Sequence, residues 1–357
     1  MSDFSLGVSE EKTISQFSDF INTTGIIPKH NIDIIPDGQI HRFSLDTDKG
    51  GAKSGAYCLH LDGCPSGWVQ DWHRGGEKLL WKFDYSDEER REYGQLMHNT
   101  EYRAKAEKKR KEIEYQKAEK LKLQKEEQAQ ARAMALKEYQ HSKAFCHETG
   151  IFPQHPYFVK KFMETGLYLP IIALNYCKAL YPICIVCQPL EGGICKKGEV
   201  LIPMLNVHTG DFQSLIHIPT TPYDRGKFSK LIYGKTSQTG AAYVINTPKS
   251  LNADTLLVCE GITTAFAVML LTQGAKPVFS AGNCGNLLPV CRGLRERYPD
   301  KRIIVMGDND IPVKGRKAGQ EAAQTCLNEG VADDYKTPPI EGEDFYDYLV
   351  RTMKKGE

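Results

Sequence analysis

From Thr255 onward, short apolar runs alternate with longer segments, and glycine or proline marks each change of period. Thr255–Cys259 is a fully apolar run of strand length, followed at once by Glu260 and Gly261. Residues 262–273 then read as a helix, with Gly274 where a helix C-cap favours glycine. Residues 277–280 make a second strand, and 286–298 a second helix with Pro289 in its first turn. Arg302–Met306 is a third strand, and 318–329 a third helix closed by Gly330. This β-α-β-α-β-α order predicts a parallel sheet with helices on both faces.

Sheets of this kind bind ligands outside the carboxyl ends of their strands, at the point where strand order switches. Glu260, Asp308 and Asp310 all fall at such ends, and they converge if the first and third strands lie side by side. Three carboxylates at one edge repel each other unless a cation neutralises them, and hard oxygen ligands select Mg2+ or Mn2+. Asp308 and Asp310, two residues apart, can face one site. Gly261 and Gly307 allow close backbone approach. Such a site suits in-line displacement at phosphorus, with Glu260 free to move a proton. The competing reading makes Glu260 a surface acid that stabilises the 262–273 helix through its dipole, worth about 0.3–1 kcal/mol. An isolated Glu-Gly or Asp-x-Asp is common in turns, so the coincidence of both in one α/β unit carries the assignment.

Upstream, residues 1–83 are rich in Gly, Asp and aromatics, with short apolar runs between Asp-Gly turns. They predict a small β-rich module, a candidate for nucleic-acid binding. It holds Trp68, Trp72 and Trp81, which either fill its core or stack on bases. Residues 84–143 contain a proline-free stretch of Glu, Lys, Arg, Gln and Ala, all good helix formers. Its apolar residues hold no a/d heptad, so the prediction is a solvated connecting helix rather than a coiled coil. From 144 to 250, Pro and Gly return. His155 to Phe158 predicts a turn entering a helix, and the runs Val200–Asn206 and Phe212–Ile218 predict a β-hairpin. Short strands follow around Gly234 and Gly240.

Val258 to Ala265 (VCEGITTA), Ala281 to Asn283 (AGN) and Val305 to Asp310 (VMGDND) resemble the Toprim signature, in which one strand ends in Glu-Gly and a later one in Asp-x-Asp. The resemblance implies a C-terminal Toprim domain over 251–357, with a Rossmann-like parallel sheet. It implies Glu260 as general acid/base and Asp308 and Asp310 as metal ligands, with Glu260 counted among the metal residues as well. Glu343 to Leu349 (EDFYDYL) resembles the closing motif of phage and plasmid Toprim primases, with Tyr346 where Asn is usual. It adds Asp344 as a further metal-site candidate beside Asp347, against the alternative of a helix N-cap and a surface acid. Val200–Asn206 with Gly210 to Phe212 resembles the strand-turn-strand that opens the catalytic core of bacterial primases, and 226–230 resembles the basic stretch that follows. Lys227 and Lys230 are therefore candidate nucleic-acid and nucleotide contacts.

The whole layout resembles primases of phages, plasmids and other mobile elements: a β-rich N-terminal module, a charged helix, a mixed α+β primase core over 144–250 and a Toprim domain. The function this implies is metal-dependent, template-directed synthesis of short primers from nucleoside triphosphates on single-stranded DNA. The alternatives are a Toprim-type nuclease, or a non-catalytic nucleic-acid-binding protein of a mobile element. No P-loop occurs, so a separate replicative helicase is the expected partner. The net charge of +1 gives no global electrostatic signal, and any basic surface must be local. No apolar run reaches bilayer length and residues 1–10 lack a signal-peptide pattern, so no membrane role and a cytoplasmic location are expected. The cysteines, 11 in all, then read as reduced thiols. Zinc is not expected: Cys58, His60, Cys64 and His73 match no standard spacing, and Cys184, Cys187 and Cys195 sit in or near an apolar run that predicts core cysteines.

Overall fold

A computed structural model describes residues 9–48, 52–61, 64–72, 77–91, 100–145, 155–168, 182–222, 227–312 and 317–354. The chain forms two units, Met1–Lys122 and Leu123–Glu357.

The first unit holds a four-stranded antiparallel sheet in the order β1 (His41–Phe43), β2 (Gly55–His60), β3 (Ser66–Asp71), β4 (Lys78–Lys82). The β-rich expectation is met, with one addition that the sequence reading lacked: helix α1, Glu10–Thr23. Ser9 caps it by accepting the Lys12 backbone N–H at 3.1 Å, an interaction worth about 1 kcal/mol. Phe17 and Ile21, one helical turn apart, bury against the sheet's Tyr57, Leu59 and Trp81.

Helix α2, Thr100–Phe145, runs for 46 residues. Every described side chain from 111 to 126 is exposed, as a mixed-charge helix without an apolar seam requires. Near its end Ala135, Glu138, Tyr139 and Ser142 become buried, a stripe at helical spacing.

The second unit is built on a nine-stranded mixed sheet. In chain order its strands are β5 (Cys184–Ile185), β6 (Val200–Asn206), β7 (Phe212–Ile218), β8 (Leu231–Ile232), β9 (Ala241–Ile245), β10 (Thr255–Cys259), β11 (Val278–Ser280), β12 (Arg302–Met306) and β13 (Asp334–Lys336). The spatial order is β13-β12-β10-β11-β9-β6-β7-β8, with β5 on β6. β13, β12, β10 and β11 are parallel, and β10 does lie beside β12. From β11 the sheet continues antiparallel through β9, β6 and β7 to β8. The residues on either side of the expected boundary at 250 thus share one sheet. β13 was not foreseen, because three residues with two charges carry no apolar signal.

Helices cover both faces, as predicted. On one face α3 (Ile262–Leu271) and α6 (Phe345–Met353) pack with Phe158 and Phe162, from the short helical stretch that His155 caps. Ile262 to Met269 are all buried, which is why α3 is apolar all round. On the other face lie α4 (Leu287–Arg297) and α5 (Ala318–Asn328). α3 ends two residues earlier than expected. Gln273 already takes a left-handed φ of 52° and Gly274 follows at 70°. Among the described residues no helix is long and apolar enough to cross a membrane.

Candidate metal and nucleotide site

Glu260 ends β10, and Asp308 and Asp310 follow β12, its direct neighbour. Parallel pairing of Cys259 with Met306 sets Glu260 level with Gly307, so the acids leave the sheet at one edge. Asn309, between the two aspartates, is fixed separately. Its Nδ2 donates to Pro338 O at 3.0 Å, and its Oδ1 accepts from Lys317 Nζ and Gln320 Nε2 at 3.3 and 3.2 Å. A Cβ on Gly319, in the first turn of α5, would stand 3.0 Å from Asp310 Oδ2 and 3.8 Å from Glu260 Oε2. These two carboxylates therefore approach the same spot over the start of α5, where the helix dipole favours negative charge.

Glu260 is not the cap of α3. The N-cap is Gly261, and no side chain bonds the helix start. Instead the Glu260 carboxylate accepts the Cys284 backbone N–H, while burial and then the Asp310 charge raise its pKa. Asp308 is pushed up to about 7, by burial first and then by Asp344, Glu260 and Asp310. Its Oδ1 is enclosed and accepts no hydrogen bond. An enclosed carboxylate oxygen without a donor, surrounded by three further acids, fits a cation. No three of these acids have ligand atoms within 4.8 Å of one another, so the cluster is spread as like charges require. The donors are all hard oxygens, which suit Mg2+ or Mn2+.

Asp344 is the N-cap of α6. Its Oδ1 caps α6 by accepting the Asp347 N–H at 2.8 Å, in a capping box with Asp347. Its charge also acts on Asp308. Burial raises the Asp344 pKa, and Lys161 works in the opposite direction. Asp347 itself is exposed.

Ile216 Cδ1 and Met204 Cε lie 3.3 and 3.5 Å from where a Gly282 Cβ would be. Lys230, exposed just before β8, lowers the pKa of both Glu260 and Asp308. Lys227 is exposed in the same segment, and no described contact ties it to the acids. Gly226 lies outside the described residues.

Sequence reasoning missed Tyr335. Its ring packs on Gly307, where a Cβ would come within 2.6 Å, and its buried hydroxyl has no partner. Burial, then Asp310 and Asp308, raise its pKa to about 12. It missed Lys161 as well, which stands 4.2 Å over the Tyr346 ring. Neither residue belongs to a recognisable local motif. A cavity of about 590 Å³ is lined by Pro203, Tyr243, Phe279 and Arg297 among others and shares no residue with the acidic edge.

In the first unit, Trp81 is core, but Trp72 is 52% exposed. Lys78 Nζ sits 4.3 Å from the Trp68 ring, and the Arg42 guanidinium 5.6 Å from that of Trp72. Of the N-terminal residues weighed for zinc, Cys58 Sγ lies 3.3 Å from His60 Nε2, Cys64 is exposed, and His73 lies outside the described residues.

Residues 255–355 match the Toprim domain family, so this part of the chain is a Toprim domain. Over 334 residues the chain is 24% identical to DNA primase TraC of Escherichia coli, covering 88% of this chain and 26% of that protein. The chain thus spans about a quarter of the length of this curated relative. Among solved structures it is similar to the DnaG primase catalytic domain bound to ssDNA, at 15% identity and a TM-score of 0.43 over 64% of this chain and 77% of that one. It is also similar to the primase fragment of the bacteriophage T7 primase-helicase protein, at 16% identity and a TM-score of 0.36 over 54% and 70%.

Proposed function

We propose that this chain is a DNA primase that joins nucleoside triphosphates on a single-stranded DNA template. The observation that carries the proposal is the acidic edge: Glu260, Asp308 and Asp310 at the ends of adjacent parallel strands, with the Asp308 Oδ1 orphaned. The Toprim match over 255–355 and the homology to TraC support it.

In the proposed reaction a primer or first-nucleotide 3′-hydroxyl attacks an α-phosphate, and pyrophosphate leaves. Asp308 and Asp310, beside Glu260 and with Asp344 behind them, are the residues that would hold Mg2+ or Mn2+. The ion supplies charge neutralisation on the phosphate oxygens. Glu260 takes the proton from the attacking hydroxyl. Burial and the Asp310 charge raise its pKa, which makes it a stronger base than an ordinary glutamate. Lys230, whose charge lowers the pKa of Glu260 and Asp308, binds the triphosphate as a point charge, and Lys227 contacts template or nucleotide phosphate. The exposed Trp72, with Trp68, Lys78 and Arg42, gives the N-terminal sheet a stacking and phosphate-binding face for single-stranded template. A helicase on a separate chain, in the cytoplasm, completes the proposed setting.

The test is incubation of the full chain with single-stranded DNA, labelled nucleoside triphosphates and Mg2+ or Mn2+. Short labelled products support the proposal. Shortened template with no new product replaces it with a nuclease, and neither outcome leaves a binding protein.

A further inference from the structure

A second set of ligand-type side chains lies in the primase-core half of the sheet, apart from the acidic residues. Cys195 is in the loop between β5 and β6, Glu199 immediately precedes β6, and His217 is on β7 opposite Leu201. One ligand atom from each lies within 4.8 Å of the other two. His217 Nδ1 is 2.8 Å from Glu199 Oε2. All three are buried, at 3%, 6% and 8% exposure.

Their surroundings are organised around a fourth residue. Glu138 of α2, only 2% exposed, accepts the backbone N–H of Ile194 at 2.6 Å, that of Cys195 at 3.1 Å, and the Tyr233 hydroxyl. Gly193 presses on its carboxylate so closely that a Cβ there would come within 2.4 Å. The loop that carries Cys195 is thus folded over a buried glutamate. Two carboxylates, Glu138 and Glu199, are enclosed in this cluster, and among the described residues neither meets a Lys or Arg. Among the described residues His217 is the one group beside Glu199 that can carry positive charge, and enclosing two carboxylates around a single imidazole is expensive. Burial, and then Glu138, also push the Cys195 thiol up, so without a cation it stays protonated.

We propose that Cys195, Glu199 and His217 bind a zinc ion that staples the 186–199 loop to the β6–β7 hairpin, with a water in the fourth position. One sulfur, one nitrogen and one oxygen form a donor set typical of zinc and foreign to Mg2+. Tetrahedral zinc at ordinary bond lengths needs ligand atoms about 3.3–3.6 Å apart. Reaching that spacing opens the His217–Glu199 contact slightly and draws any wider pair in by about an ångström. On binding, Cys195 releases its thiol proton to solvent, and the proton on His217 Nδ1 moves to Nε2. The ion then offsets the charge of Glu199 and the new thiolate, and Glu138 remains held by its two N–H donors and Tyr233.

The test is metal analysis of the full chain after saturating zinc and dialysis against Mg2+ buffer, followed by Co2+ exchange. About one zinc per chain and a near-ultraviolet thiolate-to-cobalt absorption band are expected. Cys195→Ser should lose the band and reduce zinc content by about tenfold or more. The Asp308→Ala/Asp310→Ala double variant should keep both, which separates this site from the acidic edge. Unchanged zinc and an unchanged band in Cys195→Ser overturn the proposal, as does a wild-type chain that retains no zinc. If Cys195→Ser does not fold, X-ray absorption of the wild-type zinc decides. One sulfur among otherwise nitrogen and oxygen neighbours supports the site, and any other sulfur count overturns it.

Discussion

The acidic edge and the Cys195 cluster, built on one sheet, solve opposite problems. At the edge, half-buried carboxylates leave strand ends and stay apart, with no three ligand atoms inside 4.8 Å. In the cluster a thiol, an imidazole and a carboxylate are buried and already within that distance. Like charges facing solvent hold a gap open, and a gap can admit an ion together with the phosphates it must serve. A thiol, an imidazole and a single carboxylate, hydrogen-bonded under a loop, can close before any ion arrives. The first arrangement favours rapid exchange of a hard cation, and the second favours retention of a softer one.

The largest expected effect tests the open half of this contrast. Asp308→Ala/Asp310→Ala should lower primer synthesis by at least about 10³-fold. Its melting temperature should hold or rise, since two mutually repelling acids are gone. Product counting beside a melting scan checks both, and full turnover would remove the acids from the mechanism. Next is Glu260→Gln, which keeps shape but cannot take the proton. Synthesis should fall by roughly 10²-fold or more. Single-stranded DNA affinity, measured by anisotropy, should barely change, and a near wild-type rate would make Glu260 a structural acid only.

Gly319→Ala sharpens the comparison more gently. In the first turn of α5 alanine is favoured over glycine by at most the helix-interior preference of about 0.5–1 kcal/mol. Its Cβ, however, would stand 3.0 Å from Asp310 Oδ2. Stability should therefore hold or improve while the Mg2+ concentration for half-maximal activity rises several-fold, roughly the loss of 1 kcal/mol of ion binding. An unchanged Mg2+ requirement would mean that Asp310 does not hold the ion. The smallest effect is expected from Tyr335→Phe, which removes a buried hydroxyl that has no partner. Stability should change by no more than about 1 kcal/mol, and upward if at all. A marked loss of activity instead would show that this hydroxyl reaches a ligand.

The sequence revealed the Toprim half well because its signals are local. Residues 256–259 and 303–306 are uninterrupted apolar runs, and each predicted helix is bounded by glycine or proline. The placement of Glu260 beside Asp308 needed one topological assumption, that the first and third strands are neighbours, and the β10–β12 pairing meets it. What stayed hidden depends on distance along the chain. Cys195 and His217 meet only because the hairpin register sets Leu201 opposite His217, and Glu138 reaches them from 57 residues upstream. Tyr335 belongs to a strand of three residues that follows no hydrophobic period. Helix α1 was passed over because its buried positions, Thr13, Phe17 and Ile21, are sparse among polar residues.

The junction between β9 and β11 has a mechanical consequence. Three residue pairs, Ile245 with Val278, Val244 with Phe279 and Tyr243 with Ser280, sew the Toprim strands to the primase-core strands. A hydrogen-bonded sheet resists shear along such a seam, so the pairing ties the two sets of strands into one sheet. In the proposed reaction a growing primer would meet one continuous sheet, and the compliance needed at each nucleotide step would come from surface loops and from the strand being copied.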